Sequence, residues 1–180
     1  ARLLLNAVAA LPAAADATGP MREIQQRLND LMDVEKHYRR KEYLLFPFFG
    51  RRHLSGPPAV MWGKHDEARE LLRLTIEGLQ LTDSLTAEEA AAYNQLTVAA
   101  ALDAVDDMVY KEEKILSPTA LELLTEQDWY EIYVQSDEYG YCLYAPEFAW
   151  APAGGVQQAV GRPAAEGGRV QMPTGSLSLT

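Results

Sequence analysis

The stretch that decides the fold of this chain is HYRRKEYLLFP, residues 37–47. It places a histidine, a lysine and a glutamate inside a predicted long helix, just ahead of an apolar end. A second stretch, MVYKEEKILSP at residues 108–118, repeats this layout: Lys-Glu follows His37 by four and five residues, and Glu-Glu follows Met108 at the same offsets. We therefore predict that two helices form facing walls of one internal polar site.

Outside these stretches, apolar residues recur at helical spacing and predict four helices joined by short links. The predicted helices span about residues 1–10, 20–50, 57–80 and 87–117. Thr86 and Glu89 have the spacing of a capping box at the start of the last one, which is expected to stop before Pro118. This pattern predicts an all-α fold, a four-helix up-down bundle.

The fourth predicted helix carries an apolar stripe that is expected to face the core. Its buried positions are predicted to be Leu96, Val98, Leu102, Val105, Met108 or Val109, Glu112 and Ile115. Two short C-terminal helices should follow, one over residues 119–124 and one capped by Thr125 with Asp128. From Pro146 the composition shifts to Pro, Gly, Ala and Gln, which predicts an irregular tail or linker. The predicted domains are a bundle over 1–145 and a tail over 146–180.

Composition excludes several classes of partner. The chain has 180 residues, is 48% hydrophobic and carries a formal net charge of −10. An acidic chain of this size fits one globular domain and lacks the basic footprint of a nucleic-acid-binding protein. No apolar run reaches the length of a membrane span. The single cysteine, Cys142, excludes an internal disulfide and leads us to expect a cytoplasmic location.

Three side chains are candidate metal ligands. His37 and His65 lie on the apolar stripes of the second and third predicted helices, and Glu112 lies on the stripe of the fourth. Helix bundles build metal sites from inward-facing His and Glu, and this mixture of ligands suits iron, manganese or zinc. His53 lies in a polar turn and is expected to be solvated.

The same stretches also support a metal-free interpretation. Lys41, four residues after His37, cannot bind a metal while it is protonated, and Met108 stands four residues before Glu112. A buried Lys41–Glu112 ion pair could therefore replace the metal.

Neighbouring side chains leave further alternatives open. Glu42 and Glu113 are either additional ligands or charges on the helix surface. Arg69, one turn after His65, is either part of a solvated face or a cation that neutralises Glu112. No Gly-rich phosphate loop or nucleophile elbow accompanies them, so we predict no enzymatic turnover.

Four stretches together resemble a known family. They are HYRRKEYLLFP, VMWGKHDEAR at 60–69, MVYKEEKILSP, and QDWYEIYVQSDEYGY at 127–141. They look like the hemerythrin-like, HHE cation-binding domain, and the resemblance covers about residues 1–145. The most similar variant occurs in bacterial proteins that carry a short domain of unknown function before it and a PAS sensor domain after it. The tail MPTGSLSLT resembles the segment that leads into that PAS domain.

The resemblance implies a non-haem di-iron centre that binds oxygen or nitric oxide, or that stores or senses iron. His37 matches the second-helix His of the family, His65 the His that opens the third helix, and Glu112 the fourth-helix carboxylate. Lys41 and Met108 stand where the family usually has a carboxylate and a His, and Arg69 stands where some members have a second third-helix His. The first-helix His would lie upstream of Ala1 or be absent.

These departures leave three functional hypotheses. The first is a sensory input module that binds one or two iron ions, and a diatomic gas, and signals to a downstream domain. The second is a metal-free interaction or dimerisation module, and the third is a haem-binding sensor with His37 or His65 as axial ligand and Met108 as a second one.

Overall fold

The computed structural model describes residues 1–147 and 149–153, together with the backbone of residues 169–172 and 175–178. The chain divides into two units, Ala1–Trp150 and Ala151–Thr180. The first unit is a helical bundle, which confirms the predicted all-α fold. Its α-helices are α1 (Arg2–Ala9), α2 (Thr18–Leu31), α3 (Val34–Arg40), α4 (Phe46–Arg51), α5 (Gly56–Gln80), α6 (Ala87–Tyr93), α7 (Ala99–Lys111), α8 (Ser117–Leu123) and α9 (Glu126–Tyr139).

Three π-helical segments connect some of these helices without a break. They span Lys41–Leu45, Asn94–Val98 and Glu112–Leu116. The fourth bundle helix is therefore residues 87–123. The second is residues 18–51, with a two-residue turn at 32–33 between α2 and α3, and α1 and α5 are the first and third. The helices pack in sequence order, α5 against α2 and α7, and α1 against α2 and α6.

Proline explains two of the three π-helical segments. A proline ring clashes with the carbonyl four residues earlier in an α-helix. The carbonyl that would clash belongs to Tyr43 in the case of Pro47 and to Lys114 in the case of Pro118. Both residues lie inside π-helical segments. The wider turn, with the Phe46 N–H bonded to the Lys41 carbonyl, lets the helix pass the proline instead of ending.

These wider turns correct three sequence predictions about the fourth bundle helix. Leu96 and Ile115, predicted to be buried, are 76% and 51% exposed. Both lie in π-helical segments, where an extra residue per turn rotates the stripe away from the 3.6-residue period. The helix also does not stop before Pro118 but continues through α8 to Leu123.

The end of the bundle remote from the candidate site is closed by two loops. The Ala17 N–H donates to the Leu85 carbonyl, and the Ala87 N–H donates to the Ala15 carbonyl. The Thr86–Glu89 capping box, as predicted, fixes the start of α6 beside them. These contacts fix the positions of the second and fourth bundle helices relative to each other along the bundle axis.

The core is apolar along most of its length. Its fully buried members include Ile24, Leu28, Phe49, Leu72, Val98 and Leu116. α9, whose capping box at Thr125 and Asp128 is also as predicted, packs against α3 and the segment Lys41–Leu45. None of the helices in the described part is long and apolar enough to cross a membrane.

The second unit contains a short antiparallel hairpin, described by its backbone alone. β1 (Arg169–Met172) pairs with β2 (Gly175–Ser178), and Val170 lies opposite Leu177. The rest of the predicted irregular tail lies largely outside the described residues.

Candidate metal centre

Three bundle helices bring the predicted site residues together at one level of the core. His37 lies in α3, Glu42 in the π-helical segment that follows, and His65 in α5. Glu112 is the first residue of the segment Glu112–Leu116, so its position depends on the wider turn. The two sequence stretches do face each other, as their shared layout predicted.

Glu112 lies at the centre of this group and is buried, 7% exposed. Its Oε2 is 2.6 Å from His37 Nε2 and 3.4 Å from Lys41 Nζ. Burial by itself would raise the pKa of Glu112, but His37, His65 and the charge of Lys41 outweigh burial and hold that pKa well below its usual range. Glu112 is therefore a carboxylate at neutral pH.

Glu42 forms a second buried centre, 3% exposed. Arg69 Nη2 donates to Glu42 Oε2 at 2.9 Å, and Arg69 also pairs with Glu35 and Asp66. Burial opposes ionisation of Glu42, but His65 and Arg69 outweigh burial and lower its pKa. Arg69 thus neutralises Glu42 and Glu35, and not Glu112.

His65 joins the two carboxylates and is fully buried. Its Nδ1 is 2.8 Å from Glu42 Oε1. The ring of Tyr38 stacks on it with 4.1 Å between centroids, and Phe46 lies parallel at 6.0 Å. The imidazole is therefore held in one orientation by a carboxylate at one nitrogen and by the stacked ring of Tyr38.

The other nitrogen of His65 lacks a hydrogen bond. Its Nε2 is 3.8 Å from Glu112 Oε1, and both atoms are buried without a hydrogen-bond partner among the residues that the structure describes. If the Nδ1–H donates to Glu42, a neutral His65 presents a lone pair at Nε2, facing a carboxylate oxygen. Two buried acceptors face each other stably only when a positive charge, a proton or a cation, lies between them.

The net charge of the cluster also indicates that an additional positive charge is required. Glu35, Glu42, Asp66 and Glu112 carry four negative charges, while Lys41 and Arg69 carry two positive ones. With neutral histidines the sum is −2. Burial opposes charge on His65, but the carboxylates of Glu112 and Glu42 outweigh burial and raise its pKa. The cluster therefore has room for one additional positive charge.

The donor set fits one metal ion better than two. His37, His65 and Glu112 could hold an ion through two imidazoles and a carboxylate, and the contact from Glu42 to His65 Nδ1 is the usual support for a ligating histidine. A second ion has no such set, because Lys41 and Arg69 occupy the positions beside the carboxylates with their own charges. Among the described residues, no group of three or more His, Cys, Asp or Glu is arranged to hold a metal ion. Even one ion would therefore require side chains to move.

The remaining predicted positions lie at different depths. Met108 is buried, 1% exposed, whereas Glu113 and His53 are exposed. Sequence reasoning did not assign Tyr38, Phe46 or Glu35 to the site. All three lie on the same predicted helix as His37, which was the only signal in the sequence. Helical spacing alone does not distinguish an aromatic ring that stacks on a histidine from one that packs in the apolar core.

Comparison with known families gives one match. A family model described as the hemerythrin HHE cation binding domain matches residues 1–120, two thirds of the chain. No curated protein matches the chain. The matched range contains every side chain of the cluster described above.

Proposed function

Because the chain belongs to the hemerythrin HHE cation-binding family, we propose that its bundle binds a single metal ion, iron by preference, through His37, His65 and Glu112. The observation that carries this proposal is the pair of unpartnered buried atoms, His65 Nε2 and Glu112 Oε1, 3.8 Å apart. A bound ion would supply a Lewis-acidic, redox-active centre.

Each residue of the cluster has a defined part in this proposal. Glu42 keeps the proton of His65 on Nδ1, so that Nε2 offers its lone pair. The ring of Tyr38 excludes water from the imidazole face on which it stacks. Lys41 lowers the negative potential at Glu112, so we expect weaker metal affinity than a site with a carboxylate at that position would have.

The experiment is a titration of purified, chelator-treated protein with Fe²⁺ under anaerobic conditions, followed by calorimetry and elemental analysis. We expect about one ion per chain, and loss of binding in His65→Ala and in Glu112→Gln. His53→Ala is the matched control, because His53 is exposed in a turn. Far-ultraviolet circular dichroism checks that each variant is folded. Absence of binding by the unmodified protein, or equal binding by His65→Ala and His53→Ala, would contradict the proposal.

The second candidate function is a metal-free interaction or dimerisation module, and the Lys41–Glu112 pair at 3.4 Å favours it. Here the additional positive charge is a proton, and His65 is an imidazolium between Glu42 and Glu112. The same titration separates the two candidates, because a protonated His65 gives no uptake of ions and no change in melting temperature on chelation. Analytical ultracentrifugation then tests dimerisation.

The haem hypothesis receives less support from the geometry. Glu112 lies against both His65 Nε2 and His37 Nε2, and the ring of Tyr38 stacks on His65. An axial ligand needs an open position at the coordinating nitrogen. Absence of a Soret band in protein supplied with haem would exclude this hypothesis.

We further propose that the module is a cytoplasmic sensory input, in the variant of the family that precedes a PAS domain. The support is the resemblance of residues 1–145 and of the tail MPTGSLSLT, together with the free thiol of Cys142. Oxygen, nitric oxide, redox state and iron itself are the signals to compare. Changes in the hydrogen exchange of α9 on metal or gas binding would support a sensing role, and an unchanged pattern would contradict it.

A further inference from the structure

A groove opens beside the cluster, between the second bundle helix, α8 and α9. Its volume is about 200 Å³. Leu45, Ala120, Trp129 and Ile132 provide its apolar lining, and Arg40 and Lys41 bring two cationic side chains to the same groove. A groove smaller than the 300–1,000 Å³ typical of drug-sized ligands accommodates a correspondingly small molecule.

The environment of Arg40 is a second observation that indicates a ligand. Its Nε is buried and has no hydrogen-bond partner, and no carboxylate of the described residues lies within ion-pair distance of its guanidinium. The guanidinium instead lies over the ring of Tyr141, 4.6 Å from the centroid. In a chain with a net charge of −10, a half-buried arginine without an acidic partner in the described part is available to bind an external anion.

Lys41 connects this groove to the cluster. Its side chain is 20% exposed, and its ammonium lies 3.4 Å from Glu112 Oε2. An ammonium has three N–H donors, so Lys41 retains hydrogen-bonding capacity for a second oxygen atom beside Glu112. The two adjacent residues thus bring two positive charges to the edge of an apolar lining.

From this geometry we infer that the groove binds a small organic carboxylate with an apolar body. The carboxylate pairs with Arg40 and Lys41, and the body packs against Leu45, Ala120, Trp129 and Ile132. This inference does not depend on metal binding, because none of the three proposed ligands lines the groove.

The test is a titration with hexanoate, monitored through tryptophan fluorescence and calorimetry in the presence of a chelator. Hexanol and hexylamine, with the same apolar body, are the comparison probes. We expect hexanoate to bind at least about tenfold more tightly than either, since a charge-assisted pair contributes at least that factor. Equal binding of hexanol, or no binding of hexanoate, would overturn the inference.

Matched variants locate the site. Arg40→Leu should weaken hexanoate binding about tenfold or more, and Arg40→Lys should restore part of it. Arg39→Leu is the control, because Arg39 is exposed and lies over Tyr139, away from the groove lining. Ser117→Leu, which fills the groove from α8, provides a second route to loss of binding without removing a charge. The inference fails if Arg39→Leu weakens binding as much as Arg40→Leu, or if Ser117→Leu binds normally with an unchanged melting temperature.

Discussion

At the scale of single residues, Lys41 is the side chain that most reduces the affinity of the cluster for a cation. Its ammonium lies 3.4 Å from the Glu112 carboxylate, in a position that is largely buried. Charge interactions at that depth are screened much less than on the surface. Its replacement therefore tests the electrostatic balance of the site directly.

We expect Lys41→Glu to increase the affinity for Fe²⁺ at least about tenfold, because it removes a competing cation and adds a carboxylate ligand. The metal-free variant should lose about 2–3 kcal/mol of unfolding free energy through repulsion with Glu112. Calorimetry and urea denaturation measure the two effects. Lys64→Glu, on the exposed surface, is the charge-matched control. An affinity that rises equally in both variants would show a general charge effect and not a local one.

Arg69 and Arg73 lie one turn apart on α5 but differ in burial. Arg69 is 21% exposed and pairs with the buried Glu42, while Arg73 is 48% exposed and pairs with the surface residues Glu70 and Glu77. Arg69→Met should cost about 2–4 kcal/mol, because it leaves Glu42 charged and buried. Arg73→Met should cost much less, because its ion pairs are exposed to solvent. Urea denaturation of both variants at pH 7 makes the comparison, and similar losses would contradict the role assigned to Arg69.

Sequence reasoning found part of this site for clear physical reasons. His37, His65 and Glu112 were identified because each lies on an apolar helical stripe, where a polar side chain is unusual. Glu42 remained ambiguous, because its burial depends on the π-helical segment that rotates it inward. Periodicity at 3.6 residues predicts the helix, but it does not predict where the helix widens.

At the scale of elements, α5 and the fourth bundle helix approach closely at Gly78. A Cβ at this position would overlap the hydroxyl of Tyr93, which donates to the Thr75 carbonyl at 2.9 Å. At Gly63, on the same helix, a Cβ would meet no atom of the described residues within 4 Å. The contact with Tyr93 therefore requires a glycine at position 78, whereas position 63 has space for a larger side chain.

Gly63→Ala should stabilise the protein by about 0.5–1 kcal/mol, the usual gain from alanine in a helix. Gly78→Ala should lose that gain and destabilise by about 1 kcal/mol, because Tyr93 must give up its hydrogen bond. Thermal unfolding monitored by circular dichroism compares the two variants. In a Tyr93→Leu background the cost of Gly78→Ala should disappear, and a cost that persists there would refute the steric explanation.

The start of α9 depends on Asp128, which accepts from the Thr125 backbone and pairs with Arg52. Burial opposes ionisation, but the Thr125 N–H and hydroxyl and the charge of Arg52 lower the pKa of Asp128. A lowered folded-state pKa contributes stability that is present above the unfolded pKa of about 3.9 and is lost as the pH falls through the folded value.

Asp128→Asn should therefore cost about 1–2 kcal/mol at pH 7, and the difference from the unmodified protein should shrink below about pH 4. Urea denaturation between pH 7 and pH 3 measures it. The exposed Glu138, replaced in Glu138→Gln, serves as the control on the same helix. A difference that stays constant across this range would argue against an ionised Asp128 at the cap.

At the scale of the whole molecule, metal binding and bundle stability are one equilibrium. The proposed ligands come from three different helices, so an unfolded chain does not present them together. An ion at a hundred times its dissociation constant stabilises the folded state by about 2.7 kcal/mol. For a chain of this size that corresponds to a rise in melting temperature of about 5–10 °C.

We expect this rise with Fe²⁺ in the unmodified protein and its loss in Glu112→Gln. Differential scanning calorimetry with and without chelator measures it. A rise of equal size in Glu112→Gln would place the ion elsewhere, on the acidic surface for example.

The overall bundle was predictable because its helices are long and strongly periodic, whereas the loop pairing around Ala17 and Leu85 involves backbone groups that carry no side-chain signal.

The two π-helical segments that precede Pro47 and Pro118 also have a consequence for evolutionary comparison. Each accommodates one residue more than a regular α-helical turn would, which in an alignment has the effect of a one-residue insertion. A homologue without the insertion would align with a one-residue gap in each stretch, and an ungapped alignment would shift its acidic positions relative to Glu42 and Glu112. Ligand assignments transferred between homologues should therefore follow superposed helices and not columns of an alignment.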